Sequence, residues 1–320
     1  MIVTLTLNPS VDRTIELPAM ARGEVNRATL GHLDPGGKGV NVARALVRNG
    51  VPATAVVVRG GMTGEHLRRL LVAEGVPARY VDAASETRSN VTIVEAGVGA
   101  DAATVTKLNE PGGSLTAAEL DAVCELVAGS VAVGEWAVLC GSLPPGVPPD
   151  TYERLARRLV DVGARVAVDT SGAALRHAVR ARPALVKPNH EELADAVGRP
   201  LGCLREVVDA AHELRAAGVG SVLASLGRHG AVLVSEAGVI YGRAPVARPR
   251  STVGAGDALL AGFLAAGAAD PTAALAEGLA WSAAAVGLAG SRMAGPTDLR
   301  RDLVFVEHHP DLDRPLAVPA

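Results

Sequence analysis

The chain has 320 residues, a formal net charge of −3, 48% hydrophobic residues and only 2% aromatic ones. That is enough apolar material for one large domain or two ordinary ones, with a core filled mainly by Ala, Val and Leu. A base-stacking surface would need more aromatics, and no Lys/Arg block stands out, which argues against nucleic-acid and anionic-membrane partners.

The three cysteines, Cys124, Cys140 and Cys203, are odd in number and widely spaced. They form neither a disulfide framework nor a zinc pattern, and reduced thiols fit a cytoplasmic protein. The opening residues MIVTLTLNPSVD have no basic n-region, so a signal peptide is not expected. The apolar run 258–269 ends at Asp270, too short to cross a bilayer.

In chain order, residues 2–7 read as a buried strand, 38–49 as a helix after a glycine loop, 53–58 as a strand and 63–74 as a helix. Thr116 with Glu119 forms a capping box that opens a helix to about 128. Strand 136–140, helix 150–162, strand 165–169, helix 173–179 and strand 184–186 continue the alternation. Asn189 with Glu192 marks another helix start, 222–225 and 231–235 read as neighbouring strands, and 257–288 reads as helical. Such alternation predicts an α/β fold with a mostly parallel sheet covered on both faces. Two polar stretches break the rhythm, at about 12–33 and 89–107. They suit half-exposed strands and predict a small β-sheet projecting as a lid from a main domain at 1–305. Residues 306–320 read as a poorly ordered tail.

The strongest chemical signal is Ser251-Thr252-Val253-Gly254-Ala255-Gly256-Asp257-Ala258, followed by an apolar helical run. Gly254 and Gly256 let backbone approach a ligand, and with Ala255 their N–H groups can converge on an anion at a helix start. A phosphoryl group in transfer needs such fixed donors. Asp257 stands at the mouth of this nest, where a carboxylate can take the proton of an attacking hydroxyl. The segment matches neither the phosphate-binding GKS/GKT loop nor the GxGxxG dinucleotide fingerprint, which disfavours an oxidoreductase. Gly36-Gly37-Lys38-Gly39-Val40-Asn41 is a second glycine turn, with a cation and an amide able to meet a polar ligand. Read alone, it is equally a plain loop with Asn41 packing a helix.

These two segments, in this order and separation, resemble the two signatures of the ribokinase-like carbohydrate kinases, and the likeness runs from Thr4 to about Leu288. Thr6-Leu7-Asn8-Pro9-Ser10-Val11-Asp12 resembles the 1-phosphofructokinase and tagatose-6-phosphate kinase branch. Gly23-Glu24-Val25-Asn26-Arg27, Thr87-Arg88-Ser89-Asn90-Val91 and Asn109-Glu110-Pro111-Gly112 lean toward 1-phosphofructokinases. The resemblance implies a ribokinase-like three-layer sandwich with a small β-sheet lid, ATP and Mg²⁺ as cofactors and a small-molecule sugar phosphate as partner.

It further implies that Asp12, Gly37, Lys38 and Asn41 hold the sugar and that Asn90 lines its site. Ser142, in the turn that ends a strand, where open α/β sheets place ligands, is a further candidate and almost equally a simple turn serine. Arg27, Arg88 and Lys107 become the candidate phosphate anchors, Arg88 by its matching family position and its forked geometry. On the nucleotide side, Asn189-His190-Glu191-Glu192 resembles the family's NxxE motif, with Glu192 acting on Mg²⁺ through water and Lys187 and Asn189 lining the triphosphate channel. Ser225, Gly227 and Gly230 resemble the nucleotide loop, with Thr252 and Ser282 on its rim and 283–286 as the adenine wall. Ser89 and Lys107 depart from the pattern common in relatives, so they leave the sugar's identity open.

The expected reaction is fructose 1-phosphate to fructose 1,6-bisphosphate. Tagatose 6-phosphate or fructose 6-phosphate as acceptor, and a non-catalytic sugar-phosphate sensor on the same fold, are the alternatives. An exposed lid sheet needs cover, which raises the hypothesis of a homodimer through the lid.

Overall fold

The structure is a computed structural model and describes residues 1–95, 104–267 and 269–316. The chain begins with strand β1 (Ile2–Thr6), β2 (Ser10–Leu17), β3 (Leu30–Gly36), helix α1 (Lys38–Arg48), β4 (Ala53–Arg59), α2 (Gly61–Ala73) and β5 (Ala78–Asp82). It continues through β6 (Arg88–Glu95), β7 (Thr104–Asn109), α3 (Ala117–Ala128), β8 (Trp136–Cys140), α4 (Thr151–Asp161), β9 (Arg165–Asp169) and α5 (Gly172–Ala178). The remainder comprises β10 (Leu185–Val186), α6 (His190–Val197), α7 (Leu204–Ala216), β11 (Ser221–Ser225), β12 (Ala231–Ser235), β13 (Gly238–Arg243), α8 (Ala255–Ala266), α9 (Pro271–Val286) and β14 (Phe305–Glu307).

The main sheet is 10-stranded, in the order β14-β13-β12-β11-β10-β9-β8-β1-β4-β5. The strands from β5 to β11 run parallel, and β12, β13 and β14 add on antiparallel. Period-two alternation sends the side chains of β1 to both faces. Val3 and Leu5 pack with Val123, Leu155, Leu159, Leu175 and Leu193 of α3 to α6. Ile2 packs on the opposite face with Leu46, Leu260 and Phe263 of α1 and α8. The result is the expected three layers, helix, sheet and helix. Each fully buried leucine adds roughly 1.5–3 kcal/mol of transfer free energy.

The small sheet is four-stranded, in the order β3-β2-β6-β7. It comes from the two polar stretches anticipated in the sequence, and β2 pairs with β6 in parallel, Asp12 opposite Asn90. Residues 96–103 of the second stretch lie outside the described residues. Two local expectations need correction. The helical run 257–288 is two helices, broken where Asp270 accepts bonds from the Thr272 and Ala273 N–H groups and Pro271 takes the first helical position. The segment after 306 is not a loose tail as far as Leu316. β14 extends the main sheet, Pro315 bridges to Cys203, and Leu316 is buried.

Candidate active site

The parallel strands end on one side of the main sheet, where the strand order reverses around β1, and open α/β folds gather ligands at such edges. A cavity of about 840 Å³ lies there, between that edge and the small sheet. At its floor is Asp257, third residue of α8 and only 7% exposed. Gly254 precedes the helix with φ 76°, a left-handed conformation that glycine adopts without strain. The first helical bond runs from the Ala258 N–H to the Gly254 carbonyl at 2.8 Å. The amides of Gly256 and Asp257 come before it and are left for a ligand, at the positive end of the helix dipole.

Asn41 of α1, 216 residues away in sequence, donates from Nδ2 to Asp257 Oδ2 at 2.8 Å. Burial, then the nearby Asp169 carboxylate, push the Asp257 carboxyl up to about 6, against the pull of Lys38, the Asn41 amide and Lys187. A carboxylate tuned that way is ionised at neutral pH yet a better proton acceptor than an exposed one.

Behind Asp257 lies a charged cluster. Asp169, fully buried at the end of β9, accepts from Lys38 Nζ at 2.7 Å through Oδ1, and its Oδ2 lies 3.0 Å from Lys187 Nζ. Burial works to raise the Asp169 carboxyl, but Lys187 and Lys38 outweigh it and hold it below its ordinary value. Burial alone would lower the Lys38 ammonium, but Asp169, Glu192 and Asp257 together hold it above the ordinary lysine range. Lys38 also donates to Glu192 Oε1 at 3.2 Å. The other Glu192 oxygen accepts from the Asn189 N–H in a capping box, which fixes the carboxylate at the start of α6. Asn189 itself bridges in parallel to Ser225, so the NxxE turn and the loop after β11 sit side by side.

At the small-sheet end, Asp12 Oδ1 accepts from Ser10 Oγ at 2.6 Å and Asn90 Nδ2 at 2.9 Å. Gly36 is needed because a β-carbon there would fall on the Asp12 carboxylate. Gly37, φ 110°, opens α1, and a β-carbon on Gly39 would lie 2.5 Å from the Leu5 carbonyl oxygen. Arg88 donates from its two terminal nitrogens to the Glu110 carbonyl at 2.9 Å and the Asn8 carbonyl at 3.1 Å.

The cavity wall includes Asp12, Gly37, Lys38, Asn41, Arg88, Asn90 and Lys107 on one side and Lys187, Asn189, Glu192, Ser225, Gly227, Gly230, Thr252 and Ser282 on the other, with Gly254 to Asp257 between. Two expected residues are not brought in. Arg27 is exposed on the loop joining β2 to β3, a loop that Asn26 ties back on itself through Ala21 and Glu24. Ser142 is exposed too, and its hydroxyl accepts from Asn8 Nδ2 at 3.2 Å, not from the cavity. Asp169 was missed. An aspartate closing a buried strand carries no local mark of the two lysines it meets. Ser10, Arg228 and the apolar Pro245, Val246 and Pro249 also line the cavity without having been singled out. Ala283 and Val286 stand where the apolar wall was expected.

Among the described residues no group of three or more His, Cys, Asp or Glu could hold a metal ion. The Glu192 carboxylate on the cavity wall is a hard oxygen donor that fits a hydrated cation arriving with a ligand. Among the same residues, no helix is long and apolar enough to cross a membrane.

Comparison with known proteins places this arrangement. A 1-phosphofructokinase of Rhodobacter capsulatus is 41% identical over 264 residues, 82% of this chain and 82% of that protein. A 1-phosphofructokinase of Bacillus subtilis is 35% identical over 83% of this chain and 85% of its own length. The crystal structure of phosphofructokinase-2 from Escherichia coli in complex with fructose-6-phosphate superposes with a TM-score of 0.84 at 34% identity, over 93% of this chain and 96% of that one. Residues 5–298 match the description of the pfkB family carbohydrate kinases, and the chain belongs to that family.

Proposed function

We propose that this enzyme transfers the γ-phosphoryl group of MgATP to a hydroxyl of a phosphorylated ketohexose, and that the acceptor is fructose 1-phosphate, giving fructose 1,6-bisphosphate. The observation that carries the reading is the buried Asp257 carboxylate beside the unused amides of Gly256 and Asp257, in a cavity with cations at its small-sheet end.

The acceptor hydroxyl oxygen forms the new bond to the γ-phosphorus as the bond to the β–γ bridging oxygen breaks. The hydroxyl proton goes to Asp257, and ADP leaves. The free amides of Gly256 and Asp257 steady the phosphoryl oxygens, with Lys38 supplying positive charge beside them. The Ala255 N–H, expected to join them, is turned to the Thr252 carbonyl at 3.4 Å instead. Mg²⁺ comes with the nucleotide as part of the substrate. Glu192 would hold it through water, and when bound it neutralises phosphate charge.

Asp12, positioned by Ser10 and Asn90, accepts from sugar hydroxyls. Arg88 and Lys107 face the sugar's own phosphate. Ser225, Gly227 and Gly230 carry the nucleotide, with Thr252 and Ser282 at its rim. The small sheet acts as a lid over the sugar. Its exposed Leu30, Val105 and Leu108 are apolar surface for a homodimer through the lid. The three cysteines are unpaired thiols, which suits the cytoplasm.

The test is ADP release with fructose 1-phosphate, tagatose 6-phosphate, fructose 6-phosphate, fructose and ribose at equal concentration. The highest kcat/KM is expected for fructose 1-phosphate. A higher value for either other phosphosugar reassigns the acceptor, and a higher value for fructose or ribose overturns the phosphosugar reading. Sedimentation showing only monomer at micromolar concentration removes the dimer.

A further inference from the structure

The side chain of Arg44 has no contact with the cavity, yet it makes five hydrogen bonds. It is 3% exposed and sits one turn after Asn41 on α1. Its Nε and one terminal nitrogen form a two-pronged pair with Glu74, at 2.7 and 2.6 Å. The other terminal nitrogen shares its two hydrogens among three oxygens: the Pro35 carbonyl at 2.9 Å, the Ser291 carbonyl at 3.0 Å and Asn41 Oδ1 at 3.2 Å. A guanidinium has no acceptor atom, so its neighbour on Asn41 must be the amide oxygen. The Asn41 amide is thereby forced to present its NH₂ group to Asp257.

We propose that the Glu74–Arg44 pair is a positioning device for the catalytic base: it fixes which end of the Asn41 amide faces Asp257, and so keeps that carboxylate ionised and oriented at neutral pH. The inference rests on the reading of Asp257 as the base. If Arg44 is removed, either end of the Asn41 amide can meet Asp257. The flipped amide presents an oxygen, which a carboxylate can approach favourably only once it is protonated. The midpoint of Asp257 titration must then rise.

The other charges around Asp257 are Lys38 from α1, Asp169 at the end of β9 and Lys187 just beyond β10, and none of them touches Arg44. Around Arg44 itself stand Glu74, Asp34, whose Oδ1 is 3.7 Å away, and His32, 3.4 Å from Asp34. Arg44→Lys retains the positive charge but cannot hold Glu74 with two prongs and reach Asn41 as well. It therefore separates orientation from charge.

The experiment follows the side-chain carboxyl ¹³C signals of aspartate-labelled protein against pH, with Asp257 identified by the signal lost in Asp257→Asn. In parallel, kcat is measured against pH with fructose 1-phosphate. Arg44→Met and Arg44→Lys are both expected to raise the Asp257 midpoint and the acid limb of kcat by about one pH unit, a tenfold loss below the midpoint. The KM for ATP should change less than about twofold, because the nucleotide loop is untouched. Glu74→Gln, which leaves Arg44 in place but loosens it, is expected to shift both in the same direction by less. It serves as the readout if the Arg44 variants do not fold.

Wild-type titration and acid limb in folded Arg44→Lys would overturn the inference, as would an unshifted midpoint in Glu74→Gln where neither Arg44 variant folds. If the wild-type protein phosphorylates no sugar phosphate, the proposed reaction fails, while the carbon signals still test the amide clamp.

Discussion

Lys38 Nζ lies 2.7 Å from Asp169 Oδ1, joining residues 131 apart in sequence. Lys38 is 34% exposed at the cavity edge and Asp169 is fully buried. Replacing Lys38 with Met leaves Lys187 as the remaining cation beside a buried carboxylate. Removing one member of a buried pair costs roughly 3–5 kcal/mol, and the partial exposure of Lys38 brings the expectation to about 1–3 kcal/mol. Asp169 is held below its ordinary value, so its contribution is present above the unfolded pKa, near 4, and fades as pH falls through the lower folded value. Urea unfolding of Lys38→Met should therefore show the loss at pH 7 and a smaller one near pH 3.

Asp257→Asn should keep the fold and ATP affinity and lose turnover. General bases contribute about 10²–10⁴-fold, so kcat should fall by roughly 10³ while the ATP Kd stays within about threefold. Turnover within tenfold of wild type would remove Asp257 from the base role.

The same residue predicts two opposite pH responses. Its carboxyl is raised to about 6, so below pH 6 it is protonated and cannot accept the substrate proton. The acid limb of kcat should fall about tenfold per pH unit there. Stability runs the other way. A raised folded-state pKa means the contribution is fully present below the unfolded value, near 4, and is lost as pH rises through 6. Asp257→Asn removes that cost, so its Tm should exceed wild type at pH 8 and approach it at pH 4. A Tm below wild type at pH 8 would show that burial of the charge is compensated elsewhere.

Lys107 is exposed on β7 and faces the cavity, so it can be changed without disturbing the core. Lys107→Met should raise the KM for the phosphosugar by about tenfold, as expected for one charge-assisted contact. Its melting temperature should not move. An unchanged KM at low ionic strength excludes Lys107 from phosphate binding.

Gly36 is not in a left-handed conformation, and the three atoms nearest an alanine β-carbon there all belong to the Asp12 side chain. Gly36→Ala should raise the sugar KM at least tenfold through displacement of Asp12, with the ATP Kd unchanged. Isothermal titration with each ligand separates the two.

Much of this site was legible because its parts announce themselves locally. Thr116 with Glu119 and Asn189 with Glu192 form the capping boxes their spacing implies. The glycine turn before Asp257 opens a helix as glycine and dipole chemistry require. What stayed hidden depends on partners far along the chain. Asp169 closes an ordinary apolar strand, and only the fold brings Lys38 and Lys187 to it. Arg44 looks like one more polar residue on a helix until Glu74 and Ser291 are seen beside it. Arg27 illustrates the converse. Counting cations near the small sheet could not show that its loop stays clear of the cavity. The polar sequence around 308–316 concealed an ordered segment, because backbone bonds from Leu204 and Arg205 to the Arg314 and Leu312 carbonyls, the Pro315–Cys203 bridge and buried Leu316 hold it down.

The two excursions that build the small sheet leave and rejoin the main body close to Asn8. Its Nδ2 donates to the Pro111 carbonyl at 3.0 Å, its own carbonyl accepts from Arg88, and Gly112 presses so near that a β-carbon would strike the amide oxygen. Asn8 therefore works as a rivet through overlapping plates. Any displacement of the small sheet relative to the main one has to carry these contacts along or break them.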